Sequence, residues 1–282
     1  MTPFELWSRS SDKLGTMDST APQQYAAGYG KAAQDYMRVL DPTLSPVHRR
    51  IVELARVGAG MRLLDLATGT GAVARVAAAN GATITGVDVA PGMVELARRH
   101  SPSELRFEVA DASALPFESH SFDAITCGFG LSHMPHVQDV LAEVRRVLIP
   151  AGVFVESSWG AAGESPAFSA VLQTLKRHSN GDVHAFAGIL DEDTWADPDR
   201  GLQVIRSAGF QTVDVLTERC EGTFASPGHV LEWTLAWPDY GETAAALGDA
   251  AEAFRVEALE DAGRADLLWW FGINYFVATA PG

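Results

Sequence analysis

"LLDLATGTGAVA", residues 63–74, runs an apolar stretch into a carboxylate, Asp65, and then opens into glycines at Gly69 and Gly71. Leu63, Leu64 and Leu66 read as a strand buried on both faces, and "GAVARVAAA" (71–79) reads as the helix that follows. A strand, a glycine turn and a helix in this order suit a ligand that lies against backbone. The glycines let the chain turn tightly and remove the Cβ atoms that would hold the ligand off. Gly69-x-Gly71-x-x-Ala74 meets the relaxed dinucleotide pattern, and Asp88, closing the next strand, is spaced for a ribose. The pattern alone leaves the ligand open. Asp65 decides between the two choices. A dinucleotide would bring its pyrophosphate to this carboxylate, and like charges in a partly buried turn are costly. S-adenosylmethionine has no phosphate and carries an ammonium and a sulfonium, which an acidic neighbour favours.

Outward from the turn the same rhythm repeats. "VHRRIVELARV" (47–57) places Val47, Ile51, Leu54 and Val57 on one helical face and ends at Gly58 and Gly60. "ATITGVDV" (82–89), "LRFEVADA" (105–112), "SFDAITCGFG" (121–130) and "GVFVESSW" (152–159) read as further strands. "GMVELARRH" (92–100) and "VQDVLAEVRRVL" (137–148) are the helices between them. Strands alternating with one-stripe helices imply right-handed crossovers and an α/β fold with a mainly parallel sheet covered on both faces. After Trp159 the rhythm breaks, and 161–200 is expected to form a mobile helical cap insertion. The sheet pattern resumes at "FQTVDVLTERCEGTF" (210–224) and crosses a helical region near 242–262. It ends in "LLWWFGINYFVATA" (267–280), expected to enter the sheet antiparallel after a long connection. The expected organisation is a mobile tail over 1–22, a helical region over 23–60, a binding core over 61–160, the cap over 161–200 and the rest of the sheet over 201–282.

Composition bounds the function. The chain has 282 residues, 47% hydrophobic and 20% charged, which suits an ordinary globular core. With 21 basic against 36 acidic residues its net charge is -15, which disfavours nucleic acid and anionic membrane as partners. No apolar run reaches the roughly eighteen residues a membrane helix needs, and the start lacks an export pattern. A cytoplasmic setting and a small-molecule partner are therefore expected. Cys127 and Cys220 offer neither a disulfide framework nor a zinc pattern, and no metal is expected. Whether the chain forms a homo-oligomer is left open.

"LLDLATGTG", "GVDVAPGMVELAR", "FEVADASALPF", "FDAITCGFGLSHMPHVQDVLAEVRRVLIPAGVFV" and "IRSAGFQTV" together resemble the class I S-adenosylmethionine-dependent methyltransferases. The branch they resemble holds the ubiquinone and menaquinone methyltransferases and many small-molecule methyltransferases of bacterial secondary metabolism. The likeness is specific over 61–155, looser over 24–60 and 200–216, and absent over the cap and the final seventy or so residues. It implies a Rossmann-like seven-stranded sheet and S-adenosylmethionine as cofactor. By the same resemblance Asp65, Ala67 and Gly69 line its methionine end, with Gly128 passing the methionyl part. Asp88 holds the ribose, Val89 packs on the adenine, and Met93 flanks it or belongs to the core. Asp111 accepts from the adenine amino group, with the backbone of Ala112 at a ring nitrogen. Tyr25 and Tyr29 match an N-terminal aromatic that closes over the cofactor. The family commonly has Gly or Cys where this chain has Ala67 and Thr68.

Methyl transfer from a sulfonium is a direct displacement, so alignment and exclusion of water matter most. A base is needed only if the acceptor must lose a proton. His133 and His136, just past the fourth strand, stand at the sheet edge where such crevices open. His133 is the better base, and His136 abuts the next helix. Glu156, Trp159, His178, His184 and Trp195 are candidates for the acceptor pocket. The expected function is methyl transfer to an O, N or C atom of a small aromatic or secondary-metabolite acceptor. Two other classes stay open: an NAD(P)-dependent oxidoreductase would show nicotinamide affinity, and a non-catalytic cofactor-binding module would lack an acceptor pocket.

Overall fold

Leu63, Leu64 and Leu66 are wholly buried, as an apolar strand covered on both faces requires. In the computed structural model, which describes residues 21–181 and 192–282, they belong to β1 (Arg62–Leu66). It is followed by β2 (Thr83–Asp88), β3 (Arg106–Val109), β4 (Phe122–Gly128), β5 (Leu148–Glu164), β6 (Thr212–Thr223) and β7 (Leu268–Thr279). One sheet runs in the order β3-β2-β1-β4-β5-β7-β6. The pairs β2–β3, β1–β2, β1–β4 and β4–β5 are parallel. Strand β7 runs the other way. Ala151 N–H donates to Pro281 O and Ala280 N–H to Gly152 O, so the register descends along β7 as it climbs along β5. Gln211–Thr279 and Phe224–Leu267 backbone bonds give the same sense against β6. The aromatic-rich end thus enters antiparallel, as expected.

The helices are α1 (Ala21–Asp35), α2 (Asp41–Leu54), α3 (Ala72–Ala78), α4 (Pro91–His100), α5 (Val137–Val147), α6 (Pro166–His178), α7 (Glu192–Ala196), α8 (Pro198–Ser207), α9 (Pro227–Leu235), α10 (Pro238–Ala245) and α11 (Ala251–Gly263). A π-helical stretch, Tyr36–Leu40, joins α1 to α2. No helix among the described residues is long and apolar enough to cross a membrane.

Contacts divide the chain into two compact units. The first comprises, of the described residues, Leu44–Gly160, 192–218 and Ile273–Gly282. Its core takes the apolar stripe of α5 (Val140, Leu141, Val144 and Val147) against Leu66, Ile125 and Phe154 of the sheet. The second comprises, of the described residues, 21–43, 161–181 and Arg219–Gly272. Here α6 is tied to α11 by Arg177, which reaches Glu257 at 2.6 Å and Asp261 at 2.8 Å, one helical turn apart. Phe168, Phe224, Trp233 and Trp269 form its aromatic centre.

These units differ from the expected organisation. Residues 161–200 do not form one insertion: α6 groups with α9 and α11, whereas α7 groups with the sheet. The cause is Trp195, whose ring meets Phe276 edge-on at 5.7 Å. Its carbonyl accepts from Ser158 Oγ at 2.9 Å and Asn274 Nδ2 at 3.0 Å. Most of the expected N-terminal tail, and residues 182–191 of the expected cap, lie outside the described residues.

Candidate active site at the carboxyl ends of the central strands

The order of strands reverses between β1 and β4, so the crevice of this sheet opens beyond their carboxyl ends. The glycine turn lies there. Thr68 N–H donates to Val87 O at 2.9 Å and Gly71 N–H to Thr68 O at 2.8 Å, which closes the turn against β2. Gly69 has φ +54°, and nothing stands within 4 Å of where its Cβ would be. Its backbone is therefore open to a ligand. Gly71 has φ +82°, and a Cβ there would stand 3.0 Å from the Phe107 ring of β3. The same ring, at 2.7 Å, excludes a side chain from Gly86. Ala67 takes φ +52° although it is not glycine, a conformation that costs about 1–2 kcal/mol for an L-residue.

Two carboxylates bracket the turn. Asp65 is 1% exposed; one oxygen accepts from Thr68 Oγ1 at 2.6 Å and the other from Thr126 Oγ1 at 2.8 Å. Burial pushes its pKa up to about 6, the hydroxyl and backbone bonds pull it back, and nearby Asp88 adds to the rise. Asp88 is half-buried and accepts Gly69 N–H and Ala90 N–H, each at 2.8 Å. Burial raises its pKa and the backbone donors oppose the rise. Each Asp88 oxygen keeps a lone pair for a further donor. Beyond Asp88, Val89 is 47% exposed, and exposed Asp111 accepts from Ser113 N–H and Oγ. Ala112 is half-buried against the core. Asp65 thus lies beneath the turn rather than along its surface, contrary to the expected lining role.

The ends of β4 and β5 carry the other half of the crevice. Phe129 has φ +58°, strained for a bulky residue, and donates its N–H to Ser157 O at 2.7 Å. Its ring stacks on Trp159 at 4.6 Å and 26°. A Cβ on Gly130 would meet Ala67 Cβ and Cys127 Sγ, each at 2.7 Å, so the turn after β4 needs glycine there. Gly128, in contrast, would accept a Cβ in ordinary contact with Ile51 and Val73. Glu156 is in register with Cys127 of β4, wholly buried, with neither oxygen hydrogen-bonded. Burial holds its pKa well above the carboxylate range, and the burial of Cys127 beside it raises the thiol. Such an orphaned group costs about 1–3 kcal/mol.

Other expected site residues fall elsewhere. Met93, 2% exposed, belongs to the core side of α4. Trp195 fills the core and has no face left for an acceptor. His178 bonds Glu257 at 2.7 Å and packs edge-on to Phe254, which makes it part of the α6–α11 contact. His136 is exposed at the N-cap of α5 with φ +57°, its carbonyl accepting Asp139 N–H at 2.8 Å, a helix-starting role. His133 ends the 3-10 turn Leu131–His133 and is half-buried. Tyr29 belongs to the second unit and faces Tyr36 at 6.1 Å. The Tyr25 side chain and His184 lie outside the described residues. The Phe129–Trp159 stack was missed by sequence reasoning; the glycines of "GFG" (128–130) were its signal.

A methyltransferase-domain family matches residues 64–155. The chain is 46% identical over 112 residues to the demethylmenaquinone methyltransferase of Thermus thermophilus, a match covering 38% of this chain and 51% of that protein. It is 34% identical over 166 residues to the demethylmenaquinone methyltransferase of Clavibacter sepedonicus, covering 55% of this chain and 68% of that one. The chain belongs to the class I S-adenosylmethionine-dependent methyltransferases. Among solved structures, a protein of Bacillus halodurans C-125 described as a candidate methyltransferase shares the fold with a TM-score of 0.55 at 18% identity. The match covers 83% of this chain and 99% of that one. S-adenosylmethionine is the methyltransferase's cofactor, and the residues fit it. Gly69 is open above, exposed Val89 offers an apolar edge, and Asp65 and Asp88 make the turn negative. A pyrophosphate would be repelled there.

Proposed function

We propose that this methyltransferase moves the methyl group to a small aromatic acceptor seated at the ends of β4 and β5. The observation that carries the reading is the Phe129–Trp159 stack, held on a strained backbone where a flat ring is best received. On this reading Asp88 binds the ribose hydroxyls, Asp111 and the Ala112 backbone meet the adenine edge, and Val89 packs on its face. Gly128 lets the methionyl part pass. His133 takes the proton when the acceptor must lose one. The names of the relatives support a reduced naphthoquinone as the first acceptor to try. The family match ends at 155, just before Glu156 and Trp159.

Labelled S-adenosylmethionine incubated with a naphthoquinol, phenols, indoles and amines, with the label located by NMR, tests the acceptor. Label on none of the aromatic compounds would overturn that part. Asp88→Ala should weaken S-adenosylmethionine binding by about 1.5–3 kcal/mol, read by calorimetric titration. His133→Ala should slow turnover by about 10²–10⁴ with cofactor affinity kept.

A further inference from the structure

Three polar atoms on two consecutive residues of β5 have no hydrogen-bond partner: both Glu156 oxygens and Ser157 Oγ. Both residues are 0% exposed. Buried polar groups are nearly always paired, and each exception asks for a reason. Glu156 sits beside Cys127, the residue before Gly128, and three residues before Trp159. It is therefore next to the place where the proposed acceptor ring and the methionyl passage meet. An ionised carboxylate here would lack any donor or counter-charge, and taking a proton is far cheaper than burying that charge. The resting group is a neutral carboxylic acid, which has an O–H to donate.

We propose that Glu156 recognises the methyl acceptor by donating a hydrogen bond to a hydroxyl or carbonyl oxygen of the ring system, so that the enzyme selects aromatic acceptors bearing such an oxygen. The proposal rests on the aromatic acceptor reading above and adds the group that is recognised. A ligand reaches the acid by displacing the side chains at the strand ends, and its oxygen then supplies the partner that Glu156 lacks. An apolar ligand of the same shape would leave the acid unpaired and gain nothing from it. Burial raises the proton affinity of the acid, which favours the donor form.

The test compares the full chain with Glu156→Leu and Glu156→Gln, each saturated with S-adenosylhomocysteine. The probes are 1-tetralone and tetralin, the same bicyclic skeleton with and without a carbonyl, measured by equilibrium dialysis. Glu156→Leu should weaken tetralone binding about 10-fold or more and leave tetralin binding unchanged or tighter. Glu156→Gln, which keeps an N–H donor, should retain most of the tetralone affinity. Equal losses for the two probes, or wild-type affinities that do not distinguish them after correction for their solubilities, overturn the proposal. Unchanged S-adenosylhomocysteine affinity in the variants shows that the fold is kept. Binding is read without turnover, so failure of the labelled-acceptor experiment and failure here are separate results.

Discussion

Ala67 stands in the left-handed region next to open Gly69, and a glycine there would relieve the strain. Ala67→Gly gains the relief but raises the conformational entropy of the unfolded chain, which offsets part of it, for a net stabilisation of about 0.5–1 kcal/mol. Urea unfolding measures it, and a loss of stability would show that the Ala67 methyl is needed against Gly130. Asp65 invites a second measurement. Its folded pKa of about 6 lies above the usual carboxylate value, so the folded state holds a proton that the unfolded chain releases from about pH 4 upward. The raised pKa contributes stability at low pH, and that contribution is lost as pH rises through 6. Asp65→Asn, which does not titrate, should gain about 2–3 kcal/mol relative to wild type between pH 4 and pH 7. A difference that is constant with pH would mean that Asp65 ionises as freely folded as unfolded.

At the scale of elements, β2 and β3 meet where Phe107 closes over Gly71 and Gly86. Gly86→Ala should cost about 1–3 kcal/mol by overpacking. In a Phe107→Val background the penalty should shrink, and what persists measures Thr68 Oγ1, which also stands 2.7 Å from the new methyl. Chemical denaturation of the four proteins closes the cycle; strict additivity would place the strain elsewhere. These elements were legible in sequence because hydrophobic period carries them. The run around Leu64 needs cover on both faces, and the stripe Val140–Leu141–Val144 needs it on one. Phe129 was missed although "GFG" marks a turn, since flanking glycines do not show that the aromatic itself takes the left-handed angle. Trp195 was misplaced for a related reason. Its position depends on Ser158 and Asn274, far away in the chain, while the Gly/Asp-rich residues around it show no period. Asp65 and Asp88 were singled out by their places at strand ends, but the threonines that bind Asp65 were not. A hydroxyl partner across the sheet becomes visible only once register is known.

For the molecule as a whole, residues of β5, β6 and β7 belong to both compact units. One cooperative calorimetric transition is therefore expected. S-adenosylmethionine at about 100 times its Kd should move all of it, by about 2.7 kcal/mol in unfolding free energy. Two transitions, with only one responding to the cofactor, would make the units thermodynamically independent.

The antiparallel return of β7 also sets a timetable for the ribosome. Gly152 waits for Ala280, and at ~5–20 residues per second the roughly 130 intervening residues take about 6–26 s to synthesise. Throughout that interval the growing chain carries β4 already able to pair with β5, while the far side of β5 has no neighbour. An open strand edge of this kind templates pairing with other chains. Nascent-chain solubility, chaperone demand and the yield of products truncated before β7 thus depend on when β7 is made.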